Sequence, residues 1–203
     1  KPLNVNFNKG NKVLCKLYFS KPKTDWLFQL NNSTDAIDRL TALNGLKDFI
    51  NDDDAVDAVN EKMRNDSFWG VRCEAVKVLA ASKNKKVTEV YMKSMIDEND
   101  SRVRRTYLLQ LGTLLKNHPE EKENTAVLQY FLTNLIANET SYYAAADAVT
   151  ALSDILEADK IYDAVIPYIE MDSHVDIIRR NVLTALAKSK YPRSKEVFLH
   201  YGR

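Results

Sequence analysis

The chain has 203 residues, of which 45% are apolar and 28% are charged, ordinary values for a water-soluble globular protein. It contains only five glycines and five prolines, whereas average usage would give about 14 and about 10. An all-β chain needs a turn every 8–12 residues or so, and disordered chains are rich in proline and glycine, so this scarcity indicates a mostly helical protein. The net charge of +1 provides no basic field for nucleic acid or an anionic membrane. We therefore expect no nucleic-acid partner. We also expect no membrane span, because no apolar run approaches the roughly 20 residues that one requires.

The first 22 residues carry a pattern of period two. Apolar side chains alternate with polar ones on both sides of a polar break at residues 8–11, which predicts a β-hairpin. The alternating residues are Val5, Phe7, Val13, Cys15, Leu17 and Phe19. Because an isolated hairpin is marginal in water, we expect residues 1–22 to be the remnant of a preceding β domain.

From residue 23 onward the period becomes 3.6, and a similar helix recurs five times at intervals of 32 to 41 residues. The copies begin at Arg39, Arg72, Arg104, Ala145 and Arg179. Between them lie apolar stripes typical of partner helices. Such a period predicts an all-α, HEAT/armadillo-like α-solenoid, a right-handed superhelix of about five helix pairs over residues 23–203.

The end of the array lacks the polar cap that helical-repeat proteins usually carry. Residues 194–201 read as the first helix of a sixth pair, and they include Phe198, Leu199 and Tyr201. The chain also starts at Lys1 rather than methionine. We therefore expect a piece of a longer protein, truncated within its array.

Several helix boundaries are marked by their residue types. Acids at residues 52–54 suit the positive end of a helix dipole, and Pro167 predicts a kink inside a helical stripe. Ser101, Ser141 and Ser173 are the expected N-caps of second helices.

Motifs of catalysis are absent from the sequence. It contains no H-E-x-x-H, C-x-x-C, G-x-S-x-G or G-x-x-x-x-G-K-[ST] pattern. The three histidines, His118, His174 and His200, occupy unrelated positions. We predict no catalytic residue, no metal site and no cofactor in this chain.

Arginines recur at one position of the repeat, and acidic residues precede them. The arginines are Arg72, Arg104 and Arg179, and the acids are Asp66, Asp100 and Asp176. One interpretation is a basic inner face that binds carboxylates or phosphates. The favoured interpretation is a structural ladder of ion pairs that joins adjacent repeats.

Aromatic residues begin two of the second helices, and packing between repeats is their favoured role. They are Phe68, Trp69, Tyr142 and Tyr143. The alternative is a surface that contacts a partner or substrate, for which the candidates are Trp69, Tyr142, Tyr143, Arg105 and Arg180.

Four segments resemble one known family. They are residues 26–30 (WLFQL), 68–75 (FWGVRCEA), 101–105 (SRVRR) and 141–143 (SYY). Taken in this order, they are similar to the C-terminal HEAT-like helical domain of aminopeptidase N-like zinc metallopeptidases. The hairpin pattern is similar to the end of the β-sandwich domain that precedes it in that family.

The resemblance implies a non-catalytic role in a zinc metalloaminopeptidase. In that family the zinc and its motifs belong to a separate catalytic domain, and the helical domain covers the active site and shapes substrate access. The implied partners are the catalytic and β-sandwich domains of the same polypeptide, with the peptide substrate contacted indirectly. Both bacterial cytoplasm and periplasm fit the sequence.

Two other functions compete with this hypothesis. A stand-alone HEAT-type scaffold would bind a separate protein on its concave face. A nucleic-acid-binding HEAT-like protein is opposed by the acidic balance of residues 25–203. A catalytic motif upstream in the complete reading frame would separate the first hypothesis from both.

Overall fold

The computed structural model describes residues 5, 7–15, 20–120 and 125–201. These ranges contain eleven α-helices and no strand. The helices are α1 (Lys23–Asn32), α2 (Ala36–Leu46), α3 (Asp53–Asn65), α4 (Trp69–Ala80), α5 (Lys86–Asp97), α6 (Ser101–Asn117), α7 (Thr125–Asn138), α8 (Tyr142–Ile155), α9 (Ala158–Val165), α10 (Ile177–Ser189) and α11 (Ser194–Tyr201). The all-α prediction is confirmed for this part of the chain.

The predicted β-hairpin is not supported. Residues 9–11 form a short 3₁₀ turn after Asn8, whose φ is 54°. The Asn8 side chain accepts a hydrogen bond from the Val13 amide at 2.9 Å and donates one to the Val13 carbonyl at 2.8 Å. A strand ladder would need those same backbone groups of Val13, so this local loop replaces cross-strand pairing there. Leu17 and Phe19 of the predicted second strand lie outside the described residues.

The chain divides into two compact units, residues 1–118 and 119–203. In the first unit α1 packs on α2, α3 on α4 and α5 on α6. The pairs stack through contacts of α1 with α3, α3 with α5, α2 with α4 and α4 with α6. First helices thus form one layer and second helices another, as the repeat predicts. The hand of the superhelix stays a prediction.

Apolar periodicity explains the core of the first unit. In α3 the side chains of Val56, Val59 and Met63 are buried along one stripe, because residues three and four apart share a helix face. Helix α4 is buried on more than one side, since α2, α3, α5 and α6 all contact it. Between α5 and α6 the Tyr91 and Tyr107 rings meet edge to face, 4.8 Å apart.

Gly45 permits the close packing of α1 on α2. A methyl group placed on its Cα would overlap the indole ring of Trp26. The glycine inside α2 therefore has a packing reason, although glycine weakens a helix interior.

The second unit is built around α8 and α10, which pack against each other. Helix α7 also contacts α8, and α9 and α11 contact α10. Small side chains line the buried surface of α8, and larger ones fill the space from α9 and α10. The buried alanines of α8 are Ala144, Ala145, Ala146, Ala148 and Ala151.

The kink predicted at Pro167 is found as the end of an α-helix. Helix α9 ends at Val165, and residues 166–168 continue as a 3₁₀ turn. Proline lacks the amide hydrogen that an α-helix requires and clashes with the preceding turn. The further prediction that the array continues past Arg203 stays a prediction.

The predicted N-caps differ in outcome. Ser141 caps α8 by accepting a hydrogen bond from the Ala144 amide at 3.4 Å. Helix α6 is instead capped by Asp100, which accepts from the Arg102 amide at 2.9 Å, so the Ser101 prediction is wrong by one residue. Ser173 lies too early to cap α10, but its hydroxyl still accepts from the Ile178 amide at 3.2 Å.

Candidate functional site

A buried ion pair joins the first and second repeats. The guanidinium of Arg39 donates to both carboxylate oxygens of Asp66, with Nε–Oδ2 at 2.6 Å and Nη2–Oδ1 at 2.8 Å. The side chains are only 11% and 3% exposed. The same guanidinium donates to the Thr34 carbonyl at 2.9 Å, and the Phe68 amide donates to Asp66 at 3.0 Å. This pair therefore ties the turn before α2 to the turn before α4.

Arg72 repeats this arrangement one helix pair later. Its Nε and Nη2 donate to the two carboxylate oxygens of Glu98, at 3.1 and 3.3 Å. Its Nη1 donates to the Asp66 carbonyl at 2.8 Å, and its Nη2 lies 3.9 Å from the Asp100 carboxylate. Arg104 follows by donating to the Glu98 carbonyl at 3.0 Å.

The three arginines thus share one geometry. Each donates to a backbone carbonyl in the turn before its own helix, and Arg39 and Arg72 also hold a carboxylate in the corresponding turn of the next helix pair. We refer to these residues as the arginine ladder: Arg39, Asp66, Arg72, Glu98, Asp100 and Arg104. The guanidinium groups of Arg39 and Arg72 are thus paired with carboxylates inside the fold, and a structural role for the ladder stays a prediction.

The arginine and acid of the second unit are also close together. Arg179 Nη1 lies 3.0 Å from Asp176 Oδ1, and its Nε donates to the Ile169 carbonyl at 3.1 Å. The guanidinium carbon is 5.5 Å from the centre of the Tyr201 ring. Asp176 adopts a left-handed backbone conformation with φ 54°, which aspartate tolerates better than most residues.

An exposed aromatic cluster lies beside the arginine ladder. The rings of Phe68 and Trp69 are 5.4 Å apart, and the guanidinium of Arg102 lies 4.3 Å from the centre of the Trp69 ring. Asp100 fixes Arg102 through bonds of 2.6 and 3.0 Å. The Arg102 hydrogen bond lowers the pKa of Asp100 to about 2, against its partial burial. This cluster thus places the Trp69 indole on the surface of the first unit, with the Arg102 guanidinium against the face of its ring.

The remaining partner-facing candidates are distributed over both units. Tyr142 and Tyr143 are exposed in the first turn of α8, in the second unit. Arg105 is half-buried in α6, and Arg180 is exposed in α10. Their surface position is consistent with contact to a partner, which stays a prediction.

The acidic side chains of residues 52–54 form ion pairs with lysines. Lys23 Nζ lies 2.8 Å from both Asp52 and Asp54, and Lys86 Nζ lies 2.8 Å from Asp53. The Asp52 carboxylate does not cap α3, although α3 begins at the next residue. Within the described ranges, no three His, Cys, Asp or Glu side chains form a group suited to a metal ion.

Comparison with known proteins agrees with the helix-pair architecture. Residues 24–112 match the family model of HEAT repeats, a stretch that runs from α1 into α6. The described residues thus form an all-α helical-repeat fold, and the HEAT-repeat match falls within its first unit. No curated protein matches the chain. In the described ranges, no helix has the length and apolar character of a membrane span.

Reasoning from the sequence missed two members of the arginine ladder, Arg39 and Glu98. Arg39 shares the repeat position of Arg72, 33 residues earlier, and that spacing was the available signal. Glu98 carries the same kind of signal, because it precedes Arg104 by six residues just as Asp66 precedes Arg72 by six. Only the tertiary structure shows that Glu98 takes the bidentate role.

Proposed function

We propose that this chain is a non-catalytic HEAT-type scaffold that works by contact with another protein surface. The observation that carries the proposal is the HEAT-repeat match over residues 24–112, which falls on three stacked helix pairs. The guanidinium groups of Arg39 and Arg72 are occupied by the ladder. Trp69, whose side chain is exposed, is therefore a better candidate for contact with a partner than the ladder arginines. Aromatic side chains are enriched in protein interfaces.

The specific partner we propose is the rest of one polypeptide, a zinc aminopeptidase. The four segments that resemble the C-terminal domain of that family support this choice. The helical array would cover the active site and shape substrate access to it. In this proposal the zinc belongs to the parent's catalytic domain, and this chain supplies surface rather than chemistry.

The alternative is a stand-alone HEAT-type protein-binding scaffold. The HEAT-repeat match supports this alternative as much as the first proposal. HEAT repeats indicate a helical scaffold, and they do not indicate whether an enzyme is attached to it.

Two observations decide between these functions. The complete reading frame of an aminopeptidase encodes H-E-x-x-H upstream of the helical segment, whereas that of a stand-alone scaffold does not. The purified chain should show no zinc-dependent turnover of aminoacyl-p-nitroanilides, and the complete parent enzyme should show it. Turnover by the purified chain, abolished by a chelator, would overturn the non-catalytic role.

The contact surface is tested by association in trans. The upstream domains are expressed separately, and their binding to this chain is measured by calorimetry. We expect Trp69→Ala to weaken binding about tenfold, as for an interface hot spot. Tyr130→Ala is the control, because Tyr130 is an exposed aromatic of α7 outside the candidate set. Equal loss in both variants would contradict a surface centred on Trp69.

A further inference from the structure

The first unit contains a polar pocket that the scaffold role does not use. Its volume is about 560 Å³, and it lies where the C-terminal ends of α3 and α5 approach the arginine ladder. Arg64 belongs to the last turn of α3, and Asp97 is the last residue of α5. Ser94 of α5 and Tyr107 of α6 also line it. The pocket thus combines charged residues of both signs with two hydroxyl groups.

Most charges around this pocket are already neutralised inside the fold. Arg72 and Glu98 bond to each other, and Asp100 is held by Arg102. The charges of Arg64 and Asp97 are not neutralised in this way, because no described residue forms a hydrogen bond or ion pair with either side chain. Both residues are exposed. One positive and one negative group therefore stand available at the same pocket.

The two hydroxyl groups are buried next to each other. Ser94 is 5% exposed and Tyr107 is 0% exposed, and among the described residues neither hydroxyl has a hydrogen-bond partner other than the other hydroxyl. Buried polar atoms nearly always have a partner, and a hydroxyl both donates and accepts. These groups suit a polar ligand better than an apolar one.

We propose that this pocket binds a small zwitterion, an α-amino acid, with its carboxylate at Arg64 and its ammonium at Asp97. A ligand of one sign would leave one of these two residues unpaired. Guanidinium suits a carboxylate because it donates from a planar fork, and a carboxylate accepts from ammonium. The site is independent of the partner contact proposed above, so either proposal can fail alone.

Three matched probes test the requirement for both charges. L-leucine carries both groups, isopentylamine lacks its carboxylate, and 4-methylpentanoate lacks its ammonium. Each is titrated into the 15N-labelled full chain and followed by amide chemical shifts. We expect leucine to bind with millimolar affinity, shifting amides of residues 64–65 and 94–100. Each single-charge analogue should bind about tenfold more weakly.

Substitutions then assign each charge to its residue. Arg64→Gln should weaken leucine binding about tenfold and leave isopentylamine binding unchanged, because only the carboxylate loses its partner. Asp97→Asn should weaken leucine similarly and leave 4-methylpentanoate unchanged. Lys93→Gln is the control, since Lys93 is exposed on α5 and does not line the pocket.

The hydroxyl groups are tested by Tyr107→Phe, which keeps the ring in the core. We expect weaker leucine binding with little change in the unfolding midpoint, because among the described residues only the Ser94 hydroxyl neighbours the removed group as a hydrogen-bond partner. The proposal is overturned if leucine gives no saturating shifts up to about 50 mM, far above a millimolar dissociation constant. It is also overturned if both analogues bind as tightly as leucine, or if both charge variants bind leucine like the control.

Discussion

At the scale of single residues, the arginine ladder shows how a repeated charge serves the fold. The Arg39–Asp66 pair is almost fully buried, and each partner also bonds to backbone groups of a turn. Burying an ion pair is costly, so its attraction is offset by desolvation. Removing one partner leaves the other charged group buried without compensation, which is the more costly situation.

We therefore expect Asp66→Ala to lower the free energy of unfolding by about 3–5 kcal/mol. Arg39→Ala should have a similar effect, and the double variant should lose less than the sum of the two. Chemical denaturation of the four proteins measures this coupling. Additive losses would show that the pair contributes nothing beyond its separate side chains.

The control for this cycle is the exposed pair of Asp53 and Lys86, whose side chains are 66% and 52% exposed. Solvent screens such a pair, so Asp53→Asn should leave the free energy of unfolding almost unchanged.

A second prediction at this scale concerns acid stability. Because hydrogen bonding from Arg102 lowers the pKa of Asp100 to about 2, the folded state holds this carboxylate ionised below the usual aspartate pKa of about 3.9. The stabilisation is fully present above about pH 4 and is lost as the pH falls toward about 2.

Asp100→Asn should therefore make the pH dependence of unfolding shallower between about pH 4 and about pH 2. Denaturant midpoints measured across that range provide the comparison with the unmodified chain. An identical slope in both proteins would show that the Arg102–Asp100 bond does not contribute to acid stability.

At the scale of elements, two glycines inside helices have opposite surroundings. Gly45 of α2 faces the Trp26 ring of α1, where an added methyl group would overlap the indole. Gly112 lies in α6 with nothing within 4 Å of the added methyl position. Helix propensity favours alanine at both places. The difference in the free energy of unfolding between the two glycine-to-alanine variants therefore reports the effect of packing.

We expect Gly112→Ala to raise the free energy of unfolding by about 0.5–1 kcal/mol, since alanine restricts the unfolded chain and suits the helix. Gly45→Ala should lower it by about 1–3 kcal/mol, the usual cost of overpacking. Urea denaturation of both variants measures the two shifts. A stabilising Gly45→Ala would mean that α1 moves away from α2 without loss.

At the scale of the whole molecule, the chain consists of two compact units. Contacts in a helical-repeat protein join neighbouring repeats, so stability accumulates from local interfaces. The end of α6 is bonded to the end of α4 and the turn after it. Asn117 donates to the Ala80 carbonyl at 3.0 Å, and His118 Nε2 lies 2.9 Å from the Ser82 carbonyl.

We expect the fragment 1–118 to fold by itself and to unfold cooperatively. The fragment 1–100 is the control, because it lacks α6 and thus exposes the surfaces of α4 and α5 that α6 covers. Circular dichroism during heating should show a sharp transition for the first fragment and a broad one for the second. A broad transition for both would show that the first unit needs the second.

The helical class, the stacked pairs and a break in the helix near Pro167 could be predicted from the sequence, because they depend on local periodicity and on backbone chemistry. The predicted hairpin is not supported near Asn8, where one side chain bonds to the Val13 backbone groups that strand pairing needs. Helix packing, by contrast, sets which carboxylate meets the Arg72 guanidinium, Glu98 rather than Asp100, and it brings Ser94 and Tyr107 to the same pocket. These arrangements join residues distant in the chain, and their geometry depends on how the helices pack.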